Sequence, residues 1–321
     1  MHAAVLTSPK QFEIQEFPRP EPGPTQVRVR LEGCGVCASN VPAWEGRPWF
    51  NYPMEPGSPG HEGWGIIDAV GRDVREPEPG DRVAALGYHA YSEFDVLEAA
   101  EVVRLPRELR HVPFPGEPLG CAMNVFRRSG IESGQTVAII GIGFLGALLV
   151  RLAKNAGARV LAISRRPSAL ELAKQYGADE VYTLADPGDV IGPISELTSE
   201  TGGCDRVIEV TGHQQPLDLA TELVRIRGRL IIAGYHQDGP RQINMQQWNW
   251  RGIDVINAHE RDQAVYVEGI RLAVKEVVSG RLDPTPLYTH RLPLERINDA
   301  LELTRSRPDG FLKALVVMKQ T

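Results

Sequence analysis

The sequence predicts an α/β protein in which a small β-rich domain is interrupted by a doubly wound parallel sheet. Three observations carry that expectation. The first third is rich in proline and glycine and holds short alternating stretches, the middle alternates apolar strand-like runs with helical ones, and the tail closes on an apolar run. Several short strands between turns indicate a β-domain, whereas strand and helix in regular alternation indicate βαβ units.

Taken in order, Gln26–Leu31 alternates polar and apolar as a half-buried strand does. Gly65–Val70 and Asp81–Leu86 read as two more strands closed by turns. In the middle, Thr136–Ile140 is a buried strand, followed by a glycine turn and an apolar helix to about Ala156. Ala158–Ser164 is the next strand, and Ser168–Tyr176 is helical with Leu170, Leu172, Ala173 and Tyr176 facing a core. Arg206–Val210 and Arg229–Ala233 are further strands. Tyr266–Ser279 and Leu294–Ser306 are helical, and Phe311–Met318 is a terminal strand. The expected layout is a β-rich domain from residues 1–121 and 261–321, with an inserted α/β domain over 122–260.

Composition removes several classes of function. Lys and Arg number 35 against 41 Asp and Glu, a net charge of -6, which argues against the basic surface a nucleic-acid binder needs. The longest apolar run, Val137–Val150, is interrupted by glycines and is too short for a membrane span. The N-terminus MHAAVLTSPK has neither a basic nor an apolar leader region, so a cytoplasmic protein is expected. Four cysteines are too few for a disulfide framework and point instead to metal binding or chemistry.

Gly141-Ile142-Gly143-Phe144-Leu145-Gly146 has the GxGxxG spacing, directly after a buried strand and at the start of an apolar helix. In that context the first glycine permits a tight turn and the second lets a pyrophosphate approach the backbone. The third lets helix and strand pack closely. A nicotinamide dinucleotide is therefore expected. At the end of the second strand, where an NAD enzyme usually carries an acidic residue, the chain reads Ser164-Arg165-Arg166. A hydroxyl followed by two guanidinium groups suits a 2′-phosphate, so NADP is favoured, with NAD as the alternative.

Cys37, His61 and Cys121 stand in three turn-like contexts, GCGVCASN, PGHEGWG and PLGCAMN. Two thiolates and an imidazole suit zinc, and three protein ligands would leave a fourth position for substrate. Their wide spacing alone does not establish a site, since each residue read singly is as well explained as a buried thiol or a loop histidine. The order GCGVCASN, PGSPGHEGWGII, GDRV, PLGCAMN and then the GxGxxG turn resembles the zinc-dependent alcohol dehydrogenases of the medium-chain dehydrogenase/reductase superfamily, over essentially the whole chain. The resemblance implies a GroES-like catalytic domain with an inserted Rossmann domain. It also implies a catalytic zinc on Cys37, His61 and Cys121, and a hydride passing between nicotinamide and an alcohol or carbonyl, as in secondary alcohols or polyols. Ser39 matches the hydroxyl that bonds the substrate oxygen and begins proton transfer. Glu62 matches an acid beside the zinc, and Lys313 falls where a base often lies near the cofactor pyrophosphate. Small-molecule substrates, no nucleic acid or membrane partner, and a homo-dimer or homo-tetramer are implied as well.

The departures from that family pattern are specific. The four-cysteine lobe that binds a second, structural zinc is missing: Tyr88-His89-Ala90-Tyr91 occupies that stretch, so one zinc per chain is expected. Asn40 stands where an aspartate commonly accepts a hydrogen bond from the zinc-bound imidazole. Pro42 replaces a relay histidine, so a proton route through Ser39 and water, or through a histidine such as His89, is expected. Trp44, Trp49, Phe50 and Tyr52 either wall a substrate pocket or pin a loop. Cys34, Cys204 and His259 read as structural. Two other functions fit parts of the pattern: a zinc-free enone or quinone reductase, and a non-catalytic NADP(H) sensor.

Overall fold

The computed structural model describes residues 1–319. The chain divides into two compact units, Met1–Gly120 with the tail from Arg261, and Cys121–Glu260. The first holds a two-stranded and a seven-stranded sheet and the second a six-stranded one, each unit with its own apolar core.

The first unit opens with a hairpin, β1 (His2–Ser8) and β2 (Gln11–Glu16). Then come β3 (Gln26–Gly35), the short helix α1 (Val41–Glu45), β4 (Glu62–Val70), β5 (Arg82–Ala85), β6 (Phe94–Glu98) and β7 (Val102–Arg104). Helix α2 (Gly116–Ser129) follows, and the boundary between the units falls inside it. The hairpin and the strands β6 and β7 carry no clear sequence signal, because they are short and their apolar residues are interleaved with turns.

In β3 and β4 the register explains the glycines of GCGVC. Gly33 pairs with Trp64 and Gly35 with Glu62. A Cβ at Gly33 would lie 2.5 Å from the Trp64 ring, and one at Gly35 would overlap the Glu62 carboxylate. Alternate positions on one strand are therefore emptied so that alternate side chains of its neighbour can lie across them, the period of two that a pleated sheet imposes.

The second unit is an all-parallel sheet in the order β10-β9-β8-β11-β12-β13. Its elements are β8 (Thr136–Ile140), α3 (Phe144–Asn155), β9 (Arg159–Ser164), α4 (Pro167–Gln175), β10 (Glu180–Thr183) and α5 (Gly188–Leu197). They continue with β11 (Cys204–Glu209), α6 (Gln214–Leu223), β12 (Val224–Ile232), α7 (Met245–Arg251) and β13 (Asp254–Asn257). The strands after β8 run outward in one direction and those from β11 in the other, so the order reverses between β8 and β11. This is a doubly wound sheet, with its ligand crevice expected beyond the strand C-termini at that reversal. Ala138, Ile140, Leu161, Ile163 and Val207 are fully buried, as strands covered on both faces require.

The tail adds α8 (Gln263–Val278), β14 (His290–Pro293), α9 (Ile297–Ser306) and β15 (Ala314–Val317) to the first unit. Antiparallel pairing of β15 with β3 (Leu315 with Gly35, Val317 with Gly33) completes its sheet. The terminal strand is shorter than Phe311–Met318, because only these residues find ladder partners on β3 and β14. Among the described residues no helix is long and apolar enough to cross a membrane.

Gly146 lies in the first turn of α3, where a Cβ would overlap the carbonyl of Gly141. Since backbone rather than a flexible side chain opposes it, Gly146→Ala is expected to lower stability by about 1–3 kcal/mol. A urea denaturation midpoint reads this directly. Gly143→Ala is the control, since its Cβ would meet nothing within 4 Å.

Candidate functional site

Cys37 lies just beyond β3, and His61 and Glu62 stand at the entry to β4. Because β3 and β4 are neighbours in the sheet, their adjacent ends bring residues far apart in sequence together. The Cys37 sulfur, a ring nitrogen of His61 and a carboxylate oxygen of Glu62 all lie within 4.8 Å of one another.

The imidazole is held in one orientation. His61 Nδ1 is 2.9 Å from the carbonyl of Pro59, so Nδ1 donates and Nε2 is the nitrogen that a metal could take in place of a proton, the arrangement typical of a metal-binding histidine. Asn40 Nδ2 donates to the same carbonyl at 2.6 Å. Where an aspartate commonly accepts from the imidazole, the backbone carbonyl of Pro59 takes that role here and Asn40 buttresses it. Ser39 Oγ donates to the Cys37 sulfur at 3.1 Å.

Glu62 is fully buried, and its carboxylate meets the ammonium of Lys313, with Nζ 2.6 Å from Oε1 and 2.5 Å from Oε2. Oε1 accepts the hydrogen bond, while Oε2 accepts none. Burial works against the charge on Lys313, but Glu62 and Cys37 outweigh it and hold its pKa above the ordinary value. Lys313, expected near a pyrophosphate, thus directs its ammonium to Glu62.

Burial also lowers the proton affinity of His61. The hydrogen bond and charge of Cys37, with the charges of Glu117 and Glu62, overcome it and push the pKa up to about 10. A donor set this electron-rich calls for a cation. A cysteine sulfur, an imidazole nitrogen and a carboxylate oxygen fit a borderline-soft divalent metal, and three such ligands leave a fourth position for a substrate oxygen.

Cys121, expected as a ligand in a turn, lies on α2 as the first residue of the second unit. The apolar run Leu119–Val125 with its neighbours continues the helix through it. Among the described residues, the group around Cys37 and His61 draws its third donor from Glu62. Glu117, in the first turn of α2, was not singled out from the sequence. An acidic residue at a helix start is favoured by the helix dipole alone, so nothing in its position marks a site.

Around this centre, the Tyr88 ring stacks on His61, centroids 6.1 Å apart at 16°, and remains 55% exposed. His89 pairs with Glu55 at 2.9 Å and lies 3.8 Å from the buried Asp95. Of the aromatic cluster, Trp44 is buried and bonded to Asn298, and Phe50 and Tyr52 pack on the core, so these three pin the loop. Trp49 is exposed. Cys34 and Cys204 are buried, in keeping with structural roles.

In the second unit each glycine of the GxGxxG turn answers a different demand. Gly141 has φ +102°, and Gly146 packs on its carbonyl. Gly143 precedes α3 with open space where a Cβ would be, a cradle at a helix N-terminus that fits a pyrophosphate. Phe144 and Leu145 form the first turn of α3 behind it. Ser164 ends β9, and its hydroxyl accepts from Arg166 N at 3.3 Å. The Arg166 guanidinium reaches back to the carbonyl of Ile142 at 3.2 Å, and Arg165 is exposed beside it.

Two predictions follow from these contacts. Lys313→Met strands a buried carboxylate and is expected to lower stability by about 3–5 kcal/mol, with much of the loss recovered when Glu62→Gln is added; urea denaturation of the three variants reads the coupling. Burial outweighs the lowering effect of His89 and lifts the pKa of Asp95 from 3.8 to about 6. The unfolded chain then binds fewer protons than the folded one between about pH 4 and 6, so this residue makes stability fall as pH rises through that window. Asp95→Asn should flatten that part of the stability–pH curve relative to wild type.

Known proteins share both halves of this arrangement. The sequence model of the alcohol dehydrogenase GroES-like domain matches residues 23–107, and that of zinc-binding dehydrogenase matches residues 145–275. The chain is 27% identical to the sorbitol dehydrogenase of Gallus gallus, over 94% of this chain and 93% of that protein. It is 30% identical to an alcohol dehydrogenase of Geobacillus stearothermophilus, over 73% of this chain and 77% of the relative. A structure described as a zinc-binding dehydrogenase from Sinorhizobium meliloti 1021, bound to NADP, superposes with a TM-score of 0.85 at 26% identity, covering 98% of each chain. With two matching domains, this donor set and this glycine turn, the chain belongs to the zinc-type alcohol dehydrogenases of the medium-chain dehydrogenase/reductase superfamily and is an oxidoreductase of the alcohol and polyol dehydrogenase type.

Proposed function

We propose that the protein is a zinc-dependent dehydrogenase of secondary alcohols or polyols that prefers NADP(H) and carries one zinc per chain. The grouping of Cys37, His61 and Glu62 carries this reading. When bound there, a zinc ion supplies Lewis acidity to the alcohol or carbonyl oxygen while the nicotinamide takes up or delivers the hydride.

The chain's own residues supply orientation and proton handling. Pro59 O fixes the His61 ring so that Nε2 is presented. The carbonyl is itself held by Asn40, so the ring is fixed through two hydrogen bonds rather than one. Lys313 pairs with the buried Glu62 carboxylate and holds it in place beside Cys37 and His61. The Ser39 hydroxyl, resting on the Cys37 sulfur, is the group that accepts the proton of an incoming alcohol and passes it outward. Tyr88, stacked on His61 with much of its ring exposed, offers an apolar face to the carbon chain of a substrate. Relatives named sorbitol dehydrogenase favour polyols within the alcohol class.

For the cofactor, Ser164, Arg165 and Arg166 at the end of β9 support a 2′-phosphate, since no carboxylate stands there to take a ribose hydroxyl. A homo-dimer or homo-tetramer accords with the exposed Met245 and Trp250 on the second unit, apolar side chains of the kind that interfaces cover.

Elemental analysis tests the metal. Protein purified without added metal is expected to hold about one zinc per chain. Cys37→Ser should lose both zinc and alcohol oxidation while still binding NADPH. Cys121→Ser should lower the zinc content as well, since Cys121 is the second thiolate expected at the metal. Replacing Arg165 and Arg166 together by alanine should weaken NADPH binding about tenfold or more and leave NADH binding little changed. Absence of zinc from active wild-type protein would sink the proposal.

A further inference from the structure

The second unit holds a buried polar chain that neither the glycine turn nor the metal centre uses. Glu209, at the C-terminal end of β11, is fully buried. Its carboxylate accepts from Thr211 N at 2.6 Å, from the Thr211 hydroxyl, and from Gly212 N at 3.0 Å. Its other oxygen lies 3.1 Å from His236 Nε2. On the far side of that ring, Arg241 Nε donates to His236 Nδ1 at 2.9 Å. Since Nδ1 accepts, Nε2 carries the hydrogen and donates to Glu209, and the ring is held in one tautomer by both neighbours.

This chain joins two loops, the one after β11 and the one after β12. Arg241 also donates to the carbonyl of Gly212 at 2.7 Å and pairs with Asp238. Gln214 and Gln242 exchange two further hydrogen bonds, clamping the second loop to the start of α6. The loops are pressed together: a Cβ at Gly212 would lie 2.5 Å from the Tyr235 carbonyl, and one at Gly234 would overlap Gly212 N. The first loop bears in turn on the dinucleotide turn, because Thr211 Cγ2 occupies the space a Cβ at Gly141 would take. A continuous packed path therefore runs Arg241, His236, Glu209, Thr211, Gly141.

The strand order places this path. In a doubly wound sheet each half binds one mononucleotide beyond its strand C-termini, with the dinucleotide crossing where the order reverses. β8 and β9 carry the glycine turn and Ser164-Arg165-Arg166, the adenine side. The loops after β11 and β12 then face the nicotinamide side, and Tyr235, 51% exposed and edge-on to His259, stands on the second of them.

We propose that His236 and Arg241 are positioning residues for the nicotinamide half of the cofactor: through Glu209 they lock the loops after β11 and β12 into the shape that half requires. This rests on the reading of the second unit as a nicotinamide dinucleotide site. Buried, fully connected polar chains rigidify what they join, so breaking one link frees both loops. The adenine half meets the chain only through the Thr211 methyl against Gly141 and shares none of its hydrogen bonds, so loosening the two loops bears chiefly on the nicotinamide half.

The test compares two ligands on the full-length protein by fluorescence or calorimetric titration. One is whichever of NADPH and NADH the wild type binds more tightly. The other is the matching adenine-side fragment, adenosine 2′,5′-bisphosphate or AMP. His236→Leu keeps the bulk but neither donates nor accepts, and should weaken the dinucleotide about tenfold while leaving the fragment unchanged. His236→Gln can donate to Glu209 and accept from Arg241, and should restore dinucleotide binding. Equal loss for both ligands, no loss for either, or a Gln variant as weak as the Leu variant would each overturn the proposal while leaving the dinucleotide site standing. Failure of the wild type to bind either dinucleotide would overturn both readings.

Discussion

A carboxylate removed from water has to be answered by a cation, and much of the first unit is arranged around that requirement. Glu62 is answered by Lys313, 251 residues away, from the segment leading into β15. The ammonium reaches it only because β15 pairs with β3 and so carries the end of the chain back to its beginning. Gly35 lies between them, and its missing side chain is the space the carboxylate fills. The tail, the central strand and the candidate metal centre are thereby parts of one arrangement. An isolated buried ion pair is weak evidence of stability, and replacement by apolar residues is often tolerated. Its place beside Cys37 and His61 is better explained by function, since it sets a carboxylate there within reach of the same centre.

The charges at that centre do not balance among themselves. Cys37, Glu62 and Glu117 all act on His61 in the same sense, and together they raise its proton affinity against the opposing effect of burial. Lys313 answers only part of that negative field. The field that would otherwise hold a proton on His61 is the field that favours a metal ion, with the proton as its competitor. Pro59 O decides which ring nitrogen takes part, and the amide of Asn40 can donate to that carbonyl where an ionised aspartate could not.

The two units solve different problems by different means. In the first, ionised groups are brought to the ends of adjacent antiparallel strands, where electrostatics dominates. In the second, close packing dominates: glycine turns are pressed against one another and polar groups serve mainly to fix the loops between them. Gly141 touches Thr211, Thr211 is held by Glu209, and Glu209 is held by His236. A turn that reads as a self-contained phosphate cradle is in fact one wall of a larger packed assembly.

Much was legible from sequence where the signal is local. Thr136–Ile140 is a strand of the expected bounds because its apolar run ends at a glycine turn, where Gly141 takes a positive φ and Gly146 packs on its carbonyl. The apolar positions Leu170, Leu172, Ala173 and Tyr176 are buried because one helical face must meet the sheet. Motif order sufficed to mark Cys37 and His61 and the family, since ligands fixed by strand ends recur at recognisable turns. Other features could not be read in this way. The Glu62–Lys313 pair, the carbonyl that orients His61, the field of Glu117 and the Glu209–His236–Arg241 chain all join residues whose proximity is set by sheet register and crossover. Nothing in the residues themselves declares those partners. Periodicity and turn chemistry act over a few positions and are written in the chain, whereas the partner of a buried charge is decided only when distant strands are laid side by side.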